Sequence, residues 1–292
     1  MSSISSVLQM IEEVYPDLSP ALRKAARYLQ KHPTEAALSP LRKVAEGANV
    51  SPTTLVRLAT HLGFASYNAF KDAFRDPIRT GADRYALNAS RLVNEQTSTG
   101  HREFHGTITR AISGSLDDLF GSVTAEDISR ASETLRQANK IYIIGLRSMF
   151  SPAFYFYYLM RTFSPNVVLL ENRMDMLIEE IGGIGSGDVL LAISYEPYAD
   201  TTVRVVEFAR DAGAEVIALT DSKLGPLASH ASQFFVLPTS SRSFYQSLVP
   251  TMALLETLIS FVQTQSGEDA VERISKEFAR REDFDVYWRD NS

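Results

Sequence analysis

Ser51, Thr53, Thr54, Arg57 and His61 lie within eleven residues that also carry Pro52 and a set of leucines. At 3.6 residues per turn, Leu55, Leu58, Ala59 and Leu62 fall on one stripe, leaving Thr53, Thr54, Arg57, Thr60 and His61 on the outer faces. Such a face suits the major groove of duplex DNA. A guanidinium can donate two hydrogen bonds to guanine, threonine can meet a thymine methyl or a phosphate, and a helix N-terminus beside Ser51 favours a phosphate. Lys43, Lys71 and Arg75 flank the segment and are expected to position the DNA backbone rather than read bases.

A second set of polar residues occupies two later loops. Gly145-Leu146-Arg147-Ser148-Met149 offers a tight turn, a forked donor for phosphate or carboxylate, and a hydroxyl able to cap a helix or an anion. The stretch Ser194 to Thr202 reads SYEPYADTT and brings Thr201 and Thr202 to the start of an amphipathic segment. Gly145, Arg147, Ser148, Ser194, Tyr195, Glu196, Thr201 and Thr202 are the candidate ligand-binding residues, although Ser and Thr in such places also serve as plain helix caps. Tyr155, Tyr157, Tyr158, Tyr195 and Tyr198 suggest a pocket for a weakly charged, ring-containing metabolite, set against the usual place of aromatics in cores and dimer surfaces.

Elements must position these groups. The head is expected to be all-α, with helices at about 41–47 and 52–62 joined by a turn at 48–51. Ser51 accepts from free backbone N–H groups, Pro52 sits where its missing N–H costs nothing, and Gly63 supplies the left-handed stop. Asn49 is the best non-glycine residue for a positive φ in the bend. From Pro77 to about Thr99 the sequence is polar without a clear period, and a linker is placed there. Helices at about 105–120 and 125–138 then lead into five aliphatic runs, IYIIGL, NVVLLE, DVLLAISY, EVIALTD and FFVLP. Continuous apolar character means both faces of each strand are buried, and the 10–25 residue crossovers suit βαβ units. The reading is α/β overall: a helical bundle, then a doubly wound parallel five-stranded sheet. Ser148 with Pro152 is expected to open a helix after the first run, and Gly213 to close the helix after the third. The divisions are 1–77, 78–124 and 125–292.

Composition bounds the rest. With 45% apolar and 22% charged residues, the 292-residue chain is not disordered as a whole. The absence of cysteine excludes disulfides, a thiol nucleophile and thiolate metal sites. No P-loop or Rossmann glycine triplet and no metal constellation is visible, so no cofactor or metal is expected. The longest apolar stretch, Leu248 to Val262, is too short for a membrane span, and the start lacks a signal-peptide pattern, which makes a cytoplasmic location the expectation. Residues 1–77 hold nine Lys/Arg against seven Asp/Glu, and the remainder twenty against twenty-eight, so a mildly basic head joins an acidic body.

The order LSPALRKAARYLQKHP, LRKVAEGANVSPTTLVRLATHLGF and SYNAFKDAFR resembles the N-terminal domain of the RpiR (MurR/RpiR) family of bacterial transcriptional regulators. The body, through IYIIGLRS, DVLLAISY and EVIALTDSKLGPLASHAS, resembles the sugar isomerase (SIS) domain, which in that family senses phosphosugars and related metabolites. The resemblance implies a regulator that binds an operator in double-stranded DNA and responds to a small sugar-derived effector. It places the loop hydroxyls of the family on Ser148 and Ser194. The Ser-x-Ser-Gly-x-Thr pattern of the family departs here, with Glu196, Pro197 and Ala199 in an ungapped alignment, which sets a standard phosphosugar against a less charged metabolite. A palindromic site implies a homodimer or homotetramer. The rival reading is a sugar-phosphate isomerase with an accessory helical head, for which Glu196, Asp200, Asp221 and His230 are the available acids and bases. A protein-binding adaptor is the third.

Overall fold

A run of helix stop signals shapes the N-terminal part. In the computed structural model, which describes residues 7, 10–11, 14–32, 35–36, 39–71, 82–172 and 175–288, contacts divide the chain into two units. These are Met1–Gly100 with Ser243–Tyr245, and His101–Arg242 with Gln246–Ser292.

In the first unit α1 (Pro20–Lys31) buries Leu22, Ala25, Ala26 and Leu29. Helices α2 (Leu41–Gly47) and α3 (Pro52–His61) follow. At the end of α2, Val50 N–H reaches the Ala45 carbonyl at 3.0 Å and Asn49 N–H the Glu46 carbonyl at 2.9 Å, a Schellman motif with Asn49 at φ 50°. The motif repeats after α3, where Gly63 stands at φ 85°, Gly63 N–H meets the Thr60 carbonyl and Phe64 N–H meets the Ala59 carbonyl. Leu29, Val44, Leu55, Leu58 and Phe70 belong to one buried cluster confined to this unit. Arg75, Pro77 and Gly81, which entered the reading of the head and its linker, lie outside the described residues.

The stretch expected as a linker is helical over Ala82–Thr99 (α4). Its residues include Ala, Leu, Arg, Glu and Gln without an internal Gly or Pro, so local propensity forms a helix that a search for a buried stripe overlooks. Gly100, at φ 78°, ends it.

The second unit opens with α5 (His101–Ser122) and α6 (Ala125–Gln137), the latter begun by a capping box in which Thr124 and Asp127 exchange side-chain-to-backbone bonds. Then come β1 (Ile141–Gly145), α7 (Phe150–Met160), β2 (Val167–Leu170), α8 (Leu177–Ile181), β3 (Val189–Ile193), α9 (Asp200–Asp211), β4 (Glu215–Thr220), α10 (Pro226–His230), β5 (Gln233–Val236) and α11 (Val249–Asp283). All strand pairs are parallel, in the order β2-β1-β3-β4-β5. Ile141 and Ile143 pack into one apolar layer with residues of α6, α7 and α11, while Tyr142 and Ile144 join a second layer with α8, α9 and α10. Burial on both faces is why the strands read as unbroken aliphatic runs.

Gly213 closes α9 at φ 86°, as expected. Ser148 does not open α7. It lies in the 3-10 turn Arg147–Met149, and Met149 stands at the N-cap without a side-chain bond. Helix α11 runs on to Asp283, interrupted at Gly267, whose φ of 61° and ψ of −143° break the helical path.

Candidate functional site

The outer face of α3 is built from a local cap and a buried stripe. Ser51 Oγ accepts the Thr54 N–H at 3.3 Å and shares a hydroxyl bond with Thr54 Oγ1 at 2.9 Å. Leu55, Leu58 and Ala59 are fully buried, which turns Thr53, Val56, Arg57, Thr60 and His61 to solvent. Thr54 is half-buried. Thr60 Oγ1 donates to its own backbone at the Val56 carbonyl. Lys43 is exposed on α2. Lys71 is half-buried and its Nζ donates to the Ser39 carbonyl at 2.8 Å, so one of its donors ties the domain together. A rigid helix presenting Thr53, Arg57 and His61 beside the N-terminus at Ser51 has the chemistry to meet base edges and phosphates.

In the second unit, parallel pairing brings the loops after β1, β3 and β4 to the carboxyl end of the sheet, and the strand order reverses between β1 and β3. Ligands of open α/β sheets bind there. After β1 the chain turns at Gly145, where a Cβ would stand 2.4 Å from the Met149 carbonyl oxygen, so only glycine fits. Arg147 follows, exposed and at φ 58°. Ser148 is half-buried.

The loop after β3 is held from three sides. Ser194 is buried, and its Oγ accepts the Ala199 N–H at 3.3 Å. The Asp221 carboxylate, just beyond β4, accepts the Glu196 N–H at 3.1 Å through one oxygen and the Tyr198 hydroxyl at 2.6 Å through the other. The Glu196 carbonyl accepts from Gln246 Nε2 at 2.5 Å. Burial pushes the Tyr198 phenol up to about 12, with the Asp221 hydrogen bond and the nearby Glu196 charge acting in the same direction. Glu196 itself is exposed, and the Glu196–Pro197 bond is cis.

Tyr195 is drawn into the core, where its hydroxyl meets Thr251 Oγ1 at 2.6 Å and burial raises its pKa. Thr201 is half-buried. Thr202 is fully buried in the first turn of α9, and its Oγ1 has no hydrogen-bonding partner among the described residues. Neither threonine caps α9, whose N-cap is Ala199 without a side-chain bond.

Three of the tyrosines read as a pocket lie elsewhere, on α7. Tyr155 donates to Glu256 at 2.9 Å, Tyr157 accepts from Arg161 at 2.8 Å, and Tyr158 accepts from Arg281 at 3.0 Å. His230 ends α10 ahead of β5, at the opposite end of the sheet, beside Arg210 and Glu207. Asp221, Gln246 and Thr251 build the loop without having entered the ligand-binding set, together with Tyr198, which was named only among the pocket tyrosines. Asp221 and Tyr198 had local signals, a carboxylate directly after a strand and a tyrosine in the loop, whereas Gln246 and Thr251 are distant in sequence. Among the described residues no group of three His, Asp or Glu side chains is placed to hold a metal ion, and no helix is long and apolar enough to cross a membrane.

Residues 5–80 match the model of the helix-turn-helix domain, rpiR family, and residues 134–261 match the model of the SIS domain. The chain is 28% identical over 231 residues to "Bifunctional protein glk" of Paraburkholderia xenovorans, a match covering 79% of this chain and 35% of that protein, so it spans about a third of the relative's length. It is 28% identical over 266 residues to "HTH-type transcriptional regulator HexR" of Escherichia coli, with 89% of this chain and 87% of HexR covered. The solved structure of the Vibrio vulnificus NanR protein complexed with ManNAc-6P superposes at a TM-score of 0.57 with 18% identity, covering 95% of this chain and 98% of that one, which marks a shared fold.

Proposed function

Because the chain joins an rpiR-family helix-turn-helix domain to a SIS domain, the architecture of the RpiR-family regulators, we propose that it is a DNA-binding transcriptional regulator whose SIS domain binds a sugar-derived effector and thereby changes operator affinity. The observation that carries this reading is the α3 face: a stripe of fully buried leucines fixes the helix while Thr53, Arg57 and His61 project outward beside a capped N-terminus. Arg57 reads a base, and Ser51, Thr54, Lys43 and Lys71 position the phosphate backbone.

The effector binds at the carboxyl end of the sheet, among Gly145, Arg147, Ser148, Ser194, Glu196, Thr201 and Thr202, with Tyr195 beneath them as a support. Its binding shifts a conformational balance that the head shares. NanR is described as complexed with ManNAc-6P, which supports a sugar derivative as the ligand class. The regulator works as a homodimer or homotetramer, since two heads are needed for a palindromic operator, and it acts in the cytoplasm, where the operator is. No catalytic step is assigned, because Glu196 and Asp221 lie together without an imidazole while His230 stands at the other end of the strands.

A gel-shift titration tests the reading. Wild type should bind a specific duplex with strong salt dependence, Arg57→Ala should bind it more weakly, and a sugar derivative that raises the melting temperature should alter the shift. Equal operator binding by Arg57→Ala and wild type would refute the assignment of Arg57. Turnover of an aldose or ketose phosphate that disappears in Glu196→Gln would favour the isomerase reading instead.

A further inference from the structure

Among the described residues from Val7 to Lys71, Val56 is the one large hydrophobic side chain left exposed, at 37%. It stands on α3, whose outer face also carries Thr53, Arg57, Thr60 and His61. At about 100° per residue, Val56 shares one side of that face with Thr53, three residues before it, and Thr60, four after it. Arg57 and His61 share the other side. Thr60 adds to the apolar side, because its Oγ1 donates to the Val56 carbonyl at 3.1 Å and the hydroxyl proton is spent inside the helix. What Thr60 offers a partner is a methyl group and an acceptor oxygen.

Solvation does not account for a valine here. Alanine or a long charged residue serves an exposed helical position better, and valine is the weaker helix former. Branching at Cβ confines valine on a helix to nearly one rotamer, so its two methyls point in a fixed direction before any partner arrives. A rigid apolar knob beside a guanidinium matches one feature of the major groove. Among the four bases of DNA only thymine shows a methyl group there, at C5.

Resting on the regulator reading above, we propose that Val56 is a specificity-determining residue that packs on the 5-methyl group of a thymine in the operator, with the Thr60 methyl at its flank. Arg57 then makes a polar contact and Val56 an apolar one on adjacent parts of the same groove. A cytosine in place of that thymine would bring its N4 amino group against two methyls and leave the donor without an acceptor, which turns the contact into a preference.

The full chain is first used to select duplexes from a random pool, and the thymines of the recovered sequence are then replaced one at a time by uracil, which removes only the methyl. At one of these positions wild type should lose about three- to fivefold in affinity by gel shift, the effect of burying about one methyl group. Val56→Ala should bind the thymine duplex more weakly by a similar factor and should not discriminate uracil from thymine there, which closes a double-mutant cycle across the interface. Each protein is compared with itself on two duplexes, so a folding defect in the variant cancels. Wild-type affinity unchanged at every uracil, or a recovered sequence without thymine, would overturn the proposal. So would a uracil penalty that persists in Val56→Ala, including one that is lost only in Thr60→Ser. Recovery of no sequence at all would instead remove the regulator reading on which the proposal rests.

Discussion

Tyr198 and Gly225 meet so closely that a Cβ at residue 225 would stand 2.3 Å from the tyrosine hydroxyl oxygen. The ring that seals the β3 loop therefore depends on glycine in the β4 loop. Gly225→Ala should destabilise the protein by about 1–3 kcal/mol through overpacking. In a Tyr198→Ala background the same change should cost little, and a double-mutant cycle by urea denaturation reads the difference. Equal costs in both backgrounds would show that the contact is not what constrains residue 225.

Tyr67 is buried in the head, and its hydroxyl has no hydrogen-bonding partner among the described residues. Burial pushes its phenol up to about 12, so the folded state favours the neutral form. The sign follows from linkage: the stability it contributes is fully present below pH 10, and it is lost as pH rises from about 10 towards 12, because the unfolded chain releases the proton first. Tyr67→Phe should be more stable at neutral pH by about 1 kcal/mol. Its urea midpoint should also fall less between pH 9 and pH 11 than that of wild type.

At Asn49 the backbone is left-handed. Glycine fits that conformation without strain, whereas valine is forced into a disfavoured region. Asn49→Gly should leave the head within about 0.5 kcal/mol of wild type and Asn49→Val should cost about 1–3 kcal/mol. Thermal unfolding of the full chain measures both.

For the operator face, Arg57→Ala should cost about 1–3 kcal/mol and relax the preference at one base pair, if the guanidinium grips guanine with two bonds. Lys43→Ala should weaken binding to all sequences alike and lower the slope of log affinity against log salt by about 1. Titrations at three salt concentrations, on the operator and on a scrambled duplex, separate the two. A uniform loss for Arg57→Ala would place that residue on phosphate.

Features that were legible in the sequence are those set by neighbours along the chain. The bounds of α3 follow from Ser51, Pro52 and Gly63, and the bend before it from Asn49, all within fifteen residues. The strands were visible because burial on both faces leaves runs with no polar interruption. The candidate loops were placed correctly at the strand ends, but their internal bonding was hidden. Asp221 finds Glu196 and Tyr198 only because β3 and β4 lie side by side, and Thr251 reaches Tyr195 across 56 residues. The partners of the α7 aromatics were hidden in the same way, since Tyr155 and Tyr158 bond to Glu256 and Arg281 on α11, about 100 residues and more away in sequence.

The left-handed backbone at Arg147 costs an arginine on the order of 1 kcal/mol that a glycine would not incur. A chain shaped for durability alone would gain by giving up that side chain for glycine. Its persistence would mean that the guanidinium is worth more in use than the tension it imposes, and the turn would then act as a sprung arm, with its direction set before any visitor arrives.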